Sequence, residues 1–223
     1  MNTDLVSYYK DRAEEYERIY SKPERQEDLK RSAALLQEIF ANKNVLEIAC
    51  GTGYWTERIA KTATSVYATD INESVLELAK QKGMPGHVSF GWADIYNLKP
   101  EQAFDGLFGG FIWSHILLQD LDDFLHRANS QVSANGTIVF MDNHYVEGSN
   151  IPIAETDKDG NTFQLRSLGN GTAHRVLKNF PTKEFLIQKL SDMASNITVI
   201  NLTYYWILSY KPKANQADKQ GCS

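Results

Sequence analysis

The stretch Val45-Leu46-Glu47-Ile48-Ala49-Cys50-Gly51-Thr52-Gly53 restricts what this chain can fold into more than any other. An apolar run long enough for one strand empties into a turn of small residues, and an amphipathic stretch over 54–61 follows. Small residues there let backbone approach a ligand closely at the start of a helix. Nineteen residues past Gly51, Asp70 ends the next apolar run. A carboxylate in that place can accept hydrogen bonds from both hydroxyls of a ribose.

The same grammar continues along the chain. Apolar runs at Val45–Ala49, Ser65–Thr69, His87–Trp92, Asp105–Trp113 and Thr137–Asp142 alternate with amphipathic stretches near 54–61, 73–82 and 120–132. Continuous apolar strands separated by helices predict an α/β fold whose parallel sheet is covered on both faces. Asn135-Gly136 supplies a turn into the fifth strand. Upstream, Tyr9, Ala13, Tyr16 and Tyr20 mark one helix, Lys22-Pro23 breaks it, and Leu29, Ala33, Leu36 and Phe40 mark a second. After Asp142 the alternation stops. Residues 143–172, rich in Gly, Asn, Asp and Ser, read as a long loop or irregular insert, and loops of that length are usually functional. An extended segment at His174–Phe180, a helix over Thr182–Asp192 and a hairpin within Ile197–Tyr210 close the domain.

An apolar share of 42% is enough to bury a core and offset ordering entropy, which excludes a disordered chain. Acids outnumber Lys and Arg by 28 to 23, a net charge of −5, the wrong sign for bulk nucleic-acid binding. The longest nearly uncharged run, Gly106–Leu118, is too short to span a bilayer. Met1–Lys10 lacks the apolar core of a signal peptide, so the expectation is a cytoplasmic protein with no membrane partner. Cys50 and Cys222 do not read as a structural disulfide, and the five His show no zinc spacing, so no metal is expected.

Two ligand classes use a strand–turn–helix of this kind. A dinucleotide fold wants a third small residue at position 56, which here is Thr56, preceded by the bulky Trp55. Glu47 at the strand end would repel a pyrophosphate and attract an aminoalkyl cation, which favours S-adenosylmethionine over a nicotinamide cofactor. Here the sequence resembles the class I S-adenosylmethionine-dependent methyltransferases. VLEIACGTGYWTE is similar to their first motif, with Ala49 in place of the commoner first glycine. Ala68-Thr69-Asp70-Ile71 is similar to the acidic second motif, Gly91-Trp92-Ala93-Asp94-Ile95 to the adenine segment, and Phe104–Phe108 to the start of the fourth strand.

The resemblance implies a Rossmann-like, seven-stranded fold: a parallel sheet flanked by helices, with a C-terminal antiparallel hairpin. It implies a single domain over 1–211, with a helical N-terminal lid at 1–40, a substrate-side insert at 143–180 and a disordered tail at 212–223. Glu47 would hold the amino-acid end of the cofactor, Gly51 and Gly53 would make room for the methionine moiety, and Asp70 would take the ribose. Ile71 would pack on the adenine, Asp94 would accept from its exocyclic amine, and Trp92 or Ile95 would shield it. Tyr9, Ala49, Trp55 and Phe111 also fall on the cofactor side. By the same comparison Tyr8, Tyr9, Arg12 and Tyr16 would close over the methionine end.

The acceptor is less constrained. His115 follows the fourth run in Phe111-Ile112-Trp113-Ser114-His115, where ligands of such sheets gather, and is the candidate general base or orienter. Tyr8, Arg12, Trp113, Asn143, Arg166 and Arg175 are the candidate substrate contacts. Arg166, His174, Arg175 and Lys178 form a basic group suited to a carboxylate or phosphate, with Lys178 the one most readily read as solvated surface. Asp142-Asn143 matches half of the ligand set of metal-dependent relatives, but the fourth run ends in Ser114-His115 where the other Asp would stand. The expected function is methyl transfer to an oxygen or nitrogen of a small molecule. The alternatives are a peptide or protein methyltransferase and a non-catalytic cofactor-binding protein.

Overall fold

A computed structural model describes residues 17, 19–98, 103–167 and 173–213. Its centre is a seven-stranded sheet. In chain order the elements are α1 (Gln26–Ile39), β1 (Asn44–Ile48), α2 (Tyr54–Ile59), β2 (Ser65–Asp70), α3 (Glu73–Lys80), β3 (Val88–Trp92), β4 (Phe104–Gly110), α4 (Leu121–Ser130) and β5 (Val132–Asn143). They continue as β6 (Glu155–Thr156), β7 (Thr162–Ser167), β8 (Ala173–Leu177), α5 (Lys183–Leu190), β9 (Ala194–Asn201) and β10 (Tyr205–Pro212).

The large sheet runs β3-β2-β1-β4-β5-β10-β9, with β1 to β5 parallel and β10 antiparallel to both β5 and β9. This is the seven-stranded arrangement expected of the sequence, closing hairpin included. The chain winds outward from β1 to the β3 edge and then returns to lay β4 on the other side of β1. At such a reversal the loops leaving the strand C-termini diverge and open a crevice, which is where ligands of these sheets sit.

The central strands are apolar along most of their length because both of their faces are buried, whereas the edge strands β3 and β9 are partly exposed. Leu46, Leu107, Ile138, Phe140 and Trp206 feed one core layer, while their strand neighbours Val45, Phe108, Val139, Met141 and Tyr205 feed the other. Leu29, Leu36 and Phe40 dock α1 on the second layer, as their helical spacing predicts. Thr182 caps α5 by accepting from the Phe185 N–H at 3.2 Å. The β4–β5 register jumps from Phe104↔Val132 to Gly106↔Thr137, so Asn135-Gly136 lies in a bulge within β5 and not ahead of it.

Among the described residues of the stretch 143–172, Glu155–Thr156 and Thr162–Ser167 are strands, so the insert is not irregular throughout, contrary to the expectation. Strands β6, β7 and β8 form a separate antiparallel sheet over the C-terminal end of the large one. Its polar sequence hid it, because a small sheet with one solvated face needs few apolar residues. No helix among the described residues is long and apolar enough to cross a membrane. The expected lid residues Tyr8, Tyr9, Arg12 and Tyr16, and the tail from residue 214, lie outside the described residues.

Candidate active site

Where β1 ends, three residues in five take left-handed backbone: Ala49 at φ 53°, Gly51 at 54° and Gly53 at 78°. This winds the chain tightly into α2. At Gly53 a side chain would add crowding to strain, because a Cβ would stand 3.1 Å from Met84 and 3.2 Å from Ala79. Ala49 carries a side chain in a conformation that glycine adopts freely, which is the physical reason glycine is the commoner residue at this place.

The loop is held from beneath by Asp70. Its Oδ2 accepts the Gly51 N–H at 2.9 Å and its Oδ1 accepts the Asn72 N–H at 2.9 Å, which ties the end of β2 to the turn after β1. Glu47 is 1% exposed and its Oε2 is buried with no partner. Burial, with the nearby Asp70 charge adding to it, pushes its carboxyl up to about 8. The Thr56 hydroxyl only partly offsets that rise, and a buried carboxyl oxygen left without a donor fits a cationic group of a ligand. Asp94 turns the chain after β3, accepting from the Tyr96 N–H at 3.0 Å. Trp92 is 60% exposed and donates its indole N–H to the Ile71 carbonyl at 2.8 Å, whereas Ile95 packs into the core. Trp55 is buried against Tyr20, Tyr54 and Phe108.

Glu17 was not found by sequence reasoning. It accepts from the Thr52 hydroxyl at 2.8 Å and pairs with Lys82, so the segment before α1 is latched onto the turn. Tyr20 adds to the latch by stacking on Tyr54 with ring centres 3.7 Å apart.

Across β4 the chemistry reverses sign. A single 3-10 turn over Trp113–His115 follows that strand, and Asp142 Oδ2 accepts the Ser114 N–H at 3.0 Å. Lys178, only 4% exposed, donates to Asp142 Oδ1 at 2.7 Å and to Ser114 Oγ at 2.6 Å. Burial alone would raise the Asp142 carboxyl, but the Lys178 ammonium outweighs it and holds the group below its ordinary value. The solvated reading of Lys178 is therefore overturned, and Asp142, half of the metal-type pair, is engaged by an ammonium.

His115 Nδ1 lies 2.6 Å from the Leu177 carbonyl, so Nδ1 carries the proton that donates there. Burial, with Lys178 and Arg166 close by, lowers its pKa well below the ordinary value and keeps the imidazole neutral. A cavity of about 190 Å³ opens beside this group. Asn143, Arg166 and Lys178 line it, and so do Phe111, Lys22 and Arg25. His115 is not among its described lining residues.

Two expected substrate contacts lie elsewhere. Trp113 is 1% exposed and packs edge-on against Phe140 and Trp206 in the core; the cavity it borders is a different, apolar one. Arg175 points outward from β8, pairs with Glu155 at 2.8 and 2.9 Å, and covers the Phe163 ring. Neighbours on a strand face opposite ways, so Arg175 cannot join His174 and Arg166 on one face. The missed cation is Arg25. It stands at the start of α1, where composition reads it as one more exposed helix-end charge, yet it is 6% exposed.

The comparisons with known proteins agree with this geometry. The methyltransferase domain family matches residues 45–136. A malonyl-(acyl-carrier protein) O-methyltransferase of Bacillus cereus is 30% identical over 104 residues, covering 45% of this chain and 37% of that protein. An uncharacterized methyltransferase of Anoxybacillus flavithermus is 28% identical over 119 residues, 52% of this chain and 55% of its own. The match thus spans between about a third and just over half of these relatives. The complex of DhpI with SAH superposes with a TM-score of 0.77 at 25% identity, covering 95% of this chain and 97% of that one. By its fold, and by sequence over residues 45–136, this chain is similar to the class I S-adenosylmethionine-dependent methyltransferases. DhpI has also been solved as a complex with SAM and HEP, which matches at a TM-score of 0.76 and 24% identity over 95% of this chain and 100% of that one.

Proposed function

We propose that this protein transfers a methyl group from S-adenosylmethionine to an oxygen or nitrogen of a small-molecule acceptor. The observation that carries the reading is the buried, partnerless Oε2 of Glu47 beside the left-handed turn at Ala49–Gly53, with Asp70 seated under that turn. Glu47 would hold the cofactor's ammonium, Asp70 its ribose, and Asp94 with Ile71 its adenine. The cofactor supplies an electrophilic methyl on a sulfonium. The protein's part is to align the acceptor with it and exclude water. Phe111, at φ 59° and packed edge-on to Tyr205, forms part of the cavity wall just beyond the end of β4, which supports its place between acceptor and cofactor.

His115 is neutral, with Nδ1–H fixed on Leu177, so Nε2 is the face with a lone pair. That suits either a weak base or an orienter of the acceptor. In calorimetry, S-adenosylhomocysteine binds and NAD does not; the reverse pattern would overturn the cofactor assignment. His115→Ala retains S-adenosylhomocysteine binding, and turnover unchanged by this substitution would eliminate the base role.

A second reading follows from the carrier-protein relatives. Ile151, Ile153 and Leu165 are exposed on and beside the small sheet, a surface suited to an acceptor carried on a protein. An assay offering the same acyl acid free and tethered to a carrier protein separates the two.

A further inference from the structure

The cavity behind Phe111 is cationic by construction. Lys22 and Arg25 reach it from the turn before α1, Arg166 from β7, and Lys178 from the end of β8. Three of these four are nearly buried: Arg25 at 6%, Arg166 at 9% and Lys178 at 4%. Such convergence is unfavourable unless anions answer it. Asp142 pairs with Lys178 at 2.7 Å, and Glu24 stands 4.0 Å from Lys22.

Arg25 is answered differently. Its guanidinium donates to Asn143 Oδ1 at 3.2 Å, Ser149 Oγ at 3.0 Å and the Tyr205 hydroxyl at 3.4 Å, and its Nε is buried without a partner. All of these acceptors are neutral. Stacking over Tyr204 and Tyr205, at 5.1 and 5.5 Å, fixes the plane of the fork without neutralising it. A planar, immobilised guanidinium at the wall of a cavity is the arrangement that recognises a two-oxygen anion. Asn143 and Gln164 bring amide groups to the same wall.

We propose that this cavity binds an oxyanion of the methyl acceptor, a carboxylate or a phosphoryl-type group on a small organic acid, with Arg25 as its principal ligand. This rests on the methyl-transfer reading for the identity of the anion's owner, but not for the site itself. At about 190 Å³ the space has room for a compact acid. The charge pattern also sorts the two ligands. The cationic wall repels a sulfonium and an ammonium, and Asp70, joined by Glu47 once a bound cation has deprotonated it, repels an oxyanion, so each ligand is favoured in its own half.

The test is calorimetry on the full chain saturated with S-adenosylhomocysteine, with inorganic phosphate and acetate as separate probes. At least one probe binds, more weakly as salt is raised, and the better of the two states which oxyanion the site prefers. Arg25→Gln weakens that probe about tenfold or more. Arg25→Lys, which keeps the charge and loses the fork, weakens it by a similar factor and serves if the first variant does not fold. Lys22→Ala, at the exposed rim, has a smaller effect. None of the three changes S-adenosylhomocysteine affinity by more than about twofold. The proposal is overturned if neither probe binds, or if both Arg25 variants bind it as the wild type does. If the probe binds but S-adenosylhomocysteine does not, the methyl-transfer reading fails and the oxyanion site stands.

Discussion

The two halves of the crevice are built in opposite ways. On one side of β4, residues 47–94 assemble an acidic seat from the C-terminal ends of the consecutive parallel strands β1, β2 and β3. On the other, a basic chamber draws Arg25, Asn143, Arg166 and Lys178 from four remote stretches. A cationic cofactor and the proposed anionic acceptor need opposite fields, and a sheet that reverses direction between β1 and β4 provides a wall for each. The comparison also shows where energy is stored. The acidic side keeps an unpaired carboxyl in reserve, whereas the basic side neutralises Lys178 internally and leaves Arg25 facing neutral oxygens.

Substitutions can break that contrast at several depths. The largest effect belongs to Asp142→Ala, which leaves the buried Lys178 ammonium unanswered and costs about 3–5 kcal/mol in urea unfolding. Adding Lys178→Met restores much of that stability; if the double variant is no better than the single one, the buried pair does not govern this side. Next is Glu47→Gln. The wild-type carboxyl is protonated in the ligand-free protein below about pH 8, so binding a cationic ligand at pH 7 releases a proton. Calorimetry with S-adenosylhomocysteine in buffers of different ionisation enthalpy detects close to one proton for wild type and none for the variant.

The sign for stability is the reverse of a salt-bridged acid. Because the folded value is raised, the Glu47 contribution is most favourable at low pH and is lost as pH rises from the ordinary carboxylate range to about 8. Glu47→Gln therefore flattens the pH profile of the ligand-free melting temperature over that window, and an unchanged slope would assign it to another group.

Ala49→Gly is a smaller change with the opposite direction. Relief of left-handed strain is offset by greater unfolded-state freedom, and the net is a gain of no more than about 1 kcal/mol. A clear loss of thermal stability would show that the Ala49 methyl packs favourably. Smallest of all is Arg175→Ala, which removes a solvent-exposed pair and leaves both the melting temperature and acceptor turnover within error. A marked drop in turnover would return Arg175 to the chamber.

The unequal legibility of the two halves has the same origin as their construction. Glu47, Gly51, Gly53, Asp70 and Asp94 lie on one continuous βαβαβ stretch, so spacing alone reports their placement. Strand and helix periods were equally plain, since both faces of the large sheet are covered. The chamber depends on tertiary approach. Nothing in its sequence neighbourhood separates Arg25 from an ordinary exposed helix-end arginine, and only the stacking on Tyr204 and Tyr205 reveals it. Arg175 misled for the converse reason. It adjoins His174 in sequence, but the strand period of two turns it to the opposite face. The insert's sheet was missed because its register is set by backbone pairing, not by an apolar pattern.

The bond from Arg25 to the Tyr205 hydroxyl joins residues 180 positions apart. The acidic motif residues are all in place in the chain by Asp94, whereas the basic chamber draws on Tyr205 in the last hairpin. Contacts of such long range form late, because loop closure precedes any gain from them. The half of the crevice proposed to choose the acceptor is therefore the last to be completed, and a chain truncated before β10 would retain the acidic motif residues and lack the Arg25–Tyr205 clasp.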